Sequence, residues 1–166
     1  MVKKPQARIV RRNEGKIYAN QWLFKEGSLT GGDFDFMVGN IDYLVGPPLH
    51  VHQEQTDSFF VLEGVLTIQI GDELFELLPG DFATARPGVP HTFANTDPNQ
   101  PPVKLANFMT PSGIDCYFND IAMASEVERD PRGRAKFEEA AGLTVVGPTL
   151  AEKLGLQLIG KGGSMC

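Results

Sequence analysis

The chain has 166 residues, 42% of them hydrophobic and 22% charged, with a net charge of −6. A chain of this size buries about 70% of its unfolded surface in a core of its own, which excludes an intrinsically disordered protein. The acidic balance argues against a nucleic-acid surface: the basic residues near the start (Lys3, Lys4, Arg8, Arg11, Arg12) read as a solvated terminus.

From Ala7 to about Thr110, apolar and polar residues alternate with period two between turn residues. Ala7–Arg11, Lys16–Phe24, Asp33–Val45, Ser58–Leu62, Val65–Ile70, Leu74–Leu78, Phe82–Arg86, His91–Ala94 and Val103–Met109 read as strands, and His50-Val51-His52 lies on a further one. Glycines recur at 64, 71, 80 and 88, the rhythm of an antiparallel sandwich or barrel. After Pro111 the period changes. Ile114, Tyr117, Phe118, Ile121 and Ser125 follow helical spacing, Asp130–Pro131 opens a second helix that Gly142 ends, and Thr149-x-x-Glu152 forms a capping box for a third. The expected fold is all-β, an antiparallel barrel over 1–110 with a short helical C-terminal arm over 111–160 packed on its outside and a flexible tail at 161–166. Neither Cys116 nor Cys166 sits in a paired or metal-binding motif, no stretch approaches the roughly 18 apolar residues of a membrane helix, and no apolar run follows the N-terminal charges as in a signal peptide. A cytoplasmic location is expected.

The chain has 3 histidines, His50, His52 and His91. Alternation puts side chains i and i+2 on one face of a strand, so His50 and His52 point into one cavity at a spacing that suits two ligands of a single ion. Asp57 starts the following strand and brings a carboxylate beside them if the two strands are neighbours. His91 begins a strand whose entry is fixed by the rigid turn Pro87-Gly88-Val89-Pro90.

Two stretches carry a family resemblance. Gly46-Pro-Pro-Leu-His-Val-His52 through Asp57 to Gly64 resembles the first motif of the cupin superfamily, and Gly80-Asp81 through Pro87-Gly88-Val89-Pro90-His91-Thr-Phe-Ala-Asn95 resembles the second. The C-terminal Gly142-Leu-Thr-Val-Val-Gly-Pro148-Thr-Leu is similar to the tail of single-domain bacterial cupins grouped with quercetin 2,3-dioxygenases. The resemblance implies a jelly-roll barrel holding one divalent transition metal ion (Fe, Mn, Ni, Co, Cu or Zn) by three His and one Glu. His50, His52 and His91 match the imidazoles, and Asp57 stands where the family has Glu. The shorter Asp57 leaves several arrangements open: direct ligation, ligation through water, a site of histidines alone, or a base beside the ion. Arg86 also departs from the family, standing where the second motif usually has Pro.

An ion with an open side binds an enol or phenol oxygen and lowers its pKa, with Asp57 as the natural proton acceptor. Phe59, Val61 and Phe93 share parity with Asp57 or His91 and are expected to line the substrate pocket, with Trp22, Phe36 and Phe108 as further candidates. The function expected is a metal-dependent dioxygenase acting on a small enolisable or aromatic, flavonol-like molecule. The alternatives are a non-oxidative isomerase or lyase and a non-catalytic binding barrel. The resemblance also implies a homodimer, and because a small barrel leaves edge strands to cover, Ala7–Phe24 is a candidate to do so by crossing to a second subunit.

Overall fold

Antiparallel strands with alternating polarity sort their side chains onto two faces, and two such sheets bury their apolar faces against each other. The computed structural model describes residues 9–18, 22–114 and 142–157. Among them are 11 strands. These are β1 (Lys16–Tyr18), β2 (Trp22–Lys25), β3 (Asp35–Ile41), β4 (Pro48–His52), β5 (Thr56–Glu63), β6 (Leu66–Ile70), β7 (Glu73–Leu77), β8 (Phe82–Ala85), β9 (His91–Ala94), β10 (Val103–Thr110) and β11 (Leu143–Thr149), with short helices α1 (Gly27–Thr30) and α2 (Leu150–Lys153). A six-stranded sheet runs in the order β1-β2-β3-β10-β5-β8 and a five-stranded sheet in the order β11-β4-β9-β6-β7. All the named pairings are antiparallel, and the two sheets form the jelly-roll barrel that the alternation predicts.

The core lies between the sheets in two clusters. One takes Ile41, Phe59, Val61, Val103 and Leu105 from the larger sheet and Leu66 and Ile68 from the smaller, and closes one half of the barrel. The other gathers Phe24, Met37, Met109, Ile114 and Leu143. Each such fully buried side chain contributes about 1.5–3 kcal/mol by removal from water. Buried Asp35 ties the second half together: its carboxylate accepts hydrogen bonds from the backbone N–H of Gly27 (2.6 Å), Gly113 (2.6 Å) and Ile114 (2.9 Å).

Three expectations change. Lys16–Phe24 is not one strand, because Lys16 pairs with Phe24 and Tyr18 with Trp22, which folds the segment on itself within one chain. The alternation runs through it without a glycine or proline, so composition hides the reversal. The strand expected over Asp33–Val45 stops at Ile41: Leu44 takes a positive φ of 65°, and its N–H donates to Asn95 O (2.8 Å). Nor does the barrel end at 110. Leu143–Thr149 forms β11 and pairs with β4, Leu143 opposite His52 and Val145 opposite His50. Its run Leu-Thr-Val-Val is rich in β-branched residues, and the bare edge of β4 supplies its partner.

The capping box is present as read, with Thr149 Oγ1 accepting from Glu152 N–H (3.2 Å) and Glu152 Oε2 accepting from Thr149 N–H (2.9 Å). Residues 9–11, the end of the first expected strand, are not in a strand. Residues 1–8, the two earlier helices of the arm beyond Ile114, Cys116, and the tail with Cys166 lie outside the described residues. No described helix is long and apolar enough to cross a membrane.

Candidate metal centre

His50 and His52 lie on the inner face of β4, His91 opens β9, and Asp57 stands on the inner face of β5; all four are buried. The antiparallel register sets His50 directly opposite His91. The ring centroids are 4.4 Å apart for His50 and His91, 5.0 Å for His50 and His52, and 5.3 Å for His52 and His91. One ligand atom from each of the four residues lies within 4.8 Å of all the others. Bonds of about 2.0–2.2 Å put opposed ligand atoms about 4.2 Å apart, so a contraction of roughly half an ångström closes the set on one ion. The shorter Asp57 side chain does reach the cluster.

Hydrogen bonds decide which nitrogens face inward. His50 Nδ1–H donates to Pro48 O (2.8 Å) and His91 Nδ1–H to Val89 O (2.9 Å). A carbonyl only accepts, so each Nδ1 carries the proton and each Nε2 keeps a lone pair for the centre. His91 Nε2 faces Asp57 Oδ2 at 3.3 Å, and His52 Nε2 is 3.8 Å from the same oxygen. Lone pairs thus converge on a buried spot. Both ring nitrogens of buried His52 lack a hydrogen-bond partner among the described residues. A neutral imidazole has one acceptor nitrogen, and an orphaned acceptor of this kind fits a cation. Burial holds the His50 imidazole down at about pKa 4, with the neighbouring His91 charge acting in the same direction and the Pro48 carbonyl opposing. Burial also lowers His52, against the pull of the Asp57 charge. Both rings are neutral at pH 7, the form that ligates a metal.

Asn107, on β10, was not singled out by the sequence reading. Its Nδ2 donates to Asp57 Oδ1 (2.5 Å) and to Ser58 O (3.0 Å). A signal existed: Val103, Leu105, Asn107 and Met109 share parity on one strand, and Asn107 is the one polar residue in that inward row. Gly46 is also part of the construction, since a Cβ there would fall 1.8 Å from Phe93 O, so only glycine lets the chain pass this close to the strand carrying His91.

The expected pocket residues divide. Phe59 is fully buried, its ring centroid 5.9 Å from that of His91 and 5.6 Å from that of Phe93. Trp22 lies over Gly39 and packs against both core clusters. Val61, two residues beyond Phe59, is fully buried in the same core cluster. Phe36 and Phe108 are corrected outright: they alternate with buried Asp35, Met37, Asn107 and Met109 and so point to the opposite, outer face of the six-stranded sheet. There they stack on each other (6.4 Å between centroids), and Phe82 stacks on Phe108 (5.9 Å). Met37, Met109, Ile114 and Leu143, which carried no marker in the sequence, take their place on the inside. Neither Arg86 nor Lys104 joins the site, since Arg86 is exposed and Lys104 pairs with Glu63 at the surface (3.0 Å).

Residues 44–106, which hold all four clustered side chains, match the family described as the cupin domain. Over 89 residues the chain is 28% identical to quercetin 2,3-dioxygenase of Bacillus subtilis (strain 168), a match that covers 51% of the chain but only 26% of that relative. Its fold is similar to KdgF from Halomonas sp. (TM-score 0.52, 15% identity, 67% of this chain and 98% of that one). It is also similar to a cupin protein from Bacteroides fragilis (TM-score 0.50, 17% identity, 63% of this chain and 88% of that one). At those identities the solved structures bear on the fold alone.

Proposed function

We propose that this cupin is a metal-dependent oxidoreductase of the dioxygenase type, acting on a small enolisable or aromatic, flavonol-like substrate at one divalent ion held by His50, His52, His91 and Asp57. The observation that carries the reading is the buried convergence of three imidazoles and one carboxylate, in which both ring nitrogens of His52 are without a hydrogen-bond partner among the described residues. The likeness to a quercetin 2,3-dioxygenase supports the substrate class.

A divalent ion in that set supplies Lewis acidity, lowering the pKa of an enol or phenol oxygen. The protein does the rest. The carbonyls of Pro48 and Val89 hold two of the rings so that they cannot turn away. Asp57, held by Asn107 through Oδ1, would accept the substrate proton. Met37, Met109, Phe24 and Leu143 exclude water beside it. Dioxygenation places both atoms of O₂ in the substrate, whose enolate supplies the electrons, so no further reductant enters. Lys25, the one Lys or Arg buried among the described residues, donates to the carbonyls of Arg11 and Glu14, and this disfavours a phosphorylated substrate.

The outward turn of Phe36 and Phe108 thins the aromatic wall on which a flat substrate would stack, and this favours a second reading, a non-oxidative isomerase or lyase. We also infer a cytoplasmic homodimer; two cysteines outside any paired motif and the exposed apolar Ile17 and Phe82 on the outer sheet face support it. Elemental analysis of protein purified without an affinity metal, then oxygen uptake with flavonols, catechols and β-diketones after loading with iron, manganese, cobalt or nickel, tests the function. One ion per chain with oxygen consumption is expected. An ion without oxygen consumption overturns the dioxygenase in favour of an isomerase, a lyase or a binding barrel, and no ion under any loading refutes the metal-dependent readings.

A further inference from the structure

We infer that Asn107 is a positioning residue that fixes Asp57 as a one-oxygen ligand and so sets how many places on the ion the protein occupies. The inference rests on the metal reading above. Both N–H bonds of the Asn107 amide are engaged, one with Asp57 Oδ1 at 2.5 Å and one with Ser58 O at 3.0 Å. The reverse orientation of the amide is excluded, because it would set the Asn107 oxygen against a carboxylate and a carbonyl with no proton between them. The donor is therefore committed, and Oδ1 is held away from the histidines.

Oδ2 alone is left facing them, 3.3 Å from His91 Nε2 and 3.8 Å from His52 Nε2. The backbone makes this arrangement stiff. Asn107 pairs with Phe59 and Met109 with Asp57 across the β10–β5 ladder, and β10 is an interior strand bonded to β3 on its other side. An Asp side chain has only two rotatable bonds, so pinning one oxygen nearly fixes the other. Released from Asn107, the carboxylate is free to turn both oxygens toward the ion and take a place that a substrate oxygen would need, or to turn away.

The test uses the full chain and Co(II) as probe, reading affinity by titration and coordination by visible absorption. Asn107→Val removes the donor with a good strand former of similar size. We expect it to weaken Co(II) binding roughly 10- to 100-fold, the cost usual for losing a group that orients a ligand, and to change the absorption spectrum. In an Asp57→Ala background the same substitution should change affinity no more than about twofold, since the two residues act as one unit. Unchanged affinity and spectrum in Asn107→Val, or an equal loss in both backgrounds, would overturn the assignment. If Asn107→Val fails to fold, Asn107→Ser, which shortens the donor out of reach, is put through the same comparison. Absence of Co(II) uptake by the unaltered chain overturns the metal reading itself, a result separable from either of the others.

Discussion

Acidifying the metal-free protein should destabilise it through His50. Its imidazole falls from the ordinary 6.5 to about 4 in the folded state because burial disfavours the charged ring. Below pH 6.5 the unfolded chain takes up a proton that the folded chain refuses, so stability is full above that pH and is lost as pH falls toward 4. With those two values, linkage gives a loss of about 2 kcal/mol between pH 7 and pH 5, and about 3 kcal/mol by pH 4. His52 shifts in the same direction and adds to the slope. Carboxylates held low in the fold, such as Glu26 beside Lys16, act mainly at more acid pH.

The assay is urea denaturation at fixed pH values from 7.5 to 4.5 with chelator present, because bound metal competes with protons and would add its own pH dependence. The comparison is His50→Asn, which keeps a polar side chain but cannot titrate. The variant should lose roughly 2 kcal/mol less than the unaltered chain between pH 7 and 5. Parallel pH profiles for the two proteins would refute the argument, since the buried ring would then not be the group that resists protonation.

Asp35→Ala leaves three backbone N–H groups around Gly27, Gly113 and Ile114 without their acceptor and should cost about 3 kcal/mol in chemical denaturation; a loss below half of that would mean the loops re-pair with water. Gly46→Ala forces backbone apart at Phe93 O, and about 2 kcal/mol of destabilisation is expected together with weaker Co(II) binding, because β9 carries His91. Phe59→Ala should cost about 3–5 kcal/mol, whereas Phe108→Ala on the outer face should cost well under half of that and leave Co(II) affinity unchanged. Equal losses, read by the same denaturation, would contradict the division of faces. Thr149→Ala removes the acceptor for Glu152 N–H and should cost about 1 kcal/mol.

The three histidines were legible in the sequence because their placement depends on local rules. Period two puts His50 and His52 on one face whatever the rest of the chain does, and the Pro87–Pro90 turn fixes where His91 enters its strand. The capping box at Thr149 and Glu152 was legible for the same reason: both partners lie within one turn. Asn107 was half legible, a polar residue in an inward row, but its partner is 50 residues away and appears only when β10 lies beside β5.

Parity, followed strictly, would have placed Phe36 and Phe108 outside the barrel, and aromatic character is no substitute for it. Tertiary structure alone decided the rest. Leu143–Thr149 becomes a strand because β4 offers it an open edge, and Lys16–Phe24 folds back because its two halves satisfy each other's backbone. Whether Asp57 reaches the histidines depended on how far apart two different sheets pack, a distance set by Phe59, Leu66, Ile68 and Leu105 between them. Face and spacing along one strand are properties of neighbouring residues, whereas partners across a ladder and the gap between sheets come from side chains far apart in the chain, and the sequence order does not reveal which of these meet.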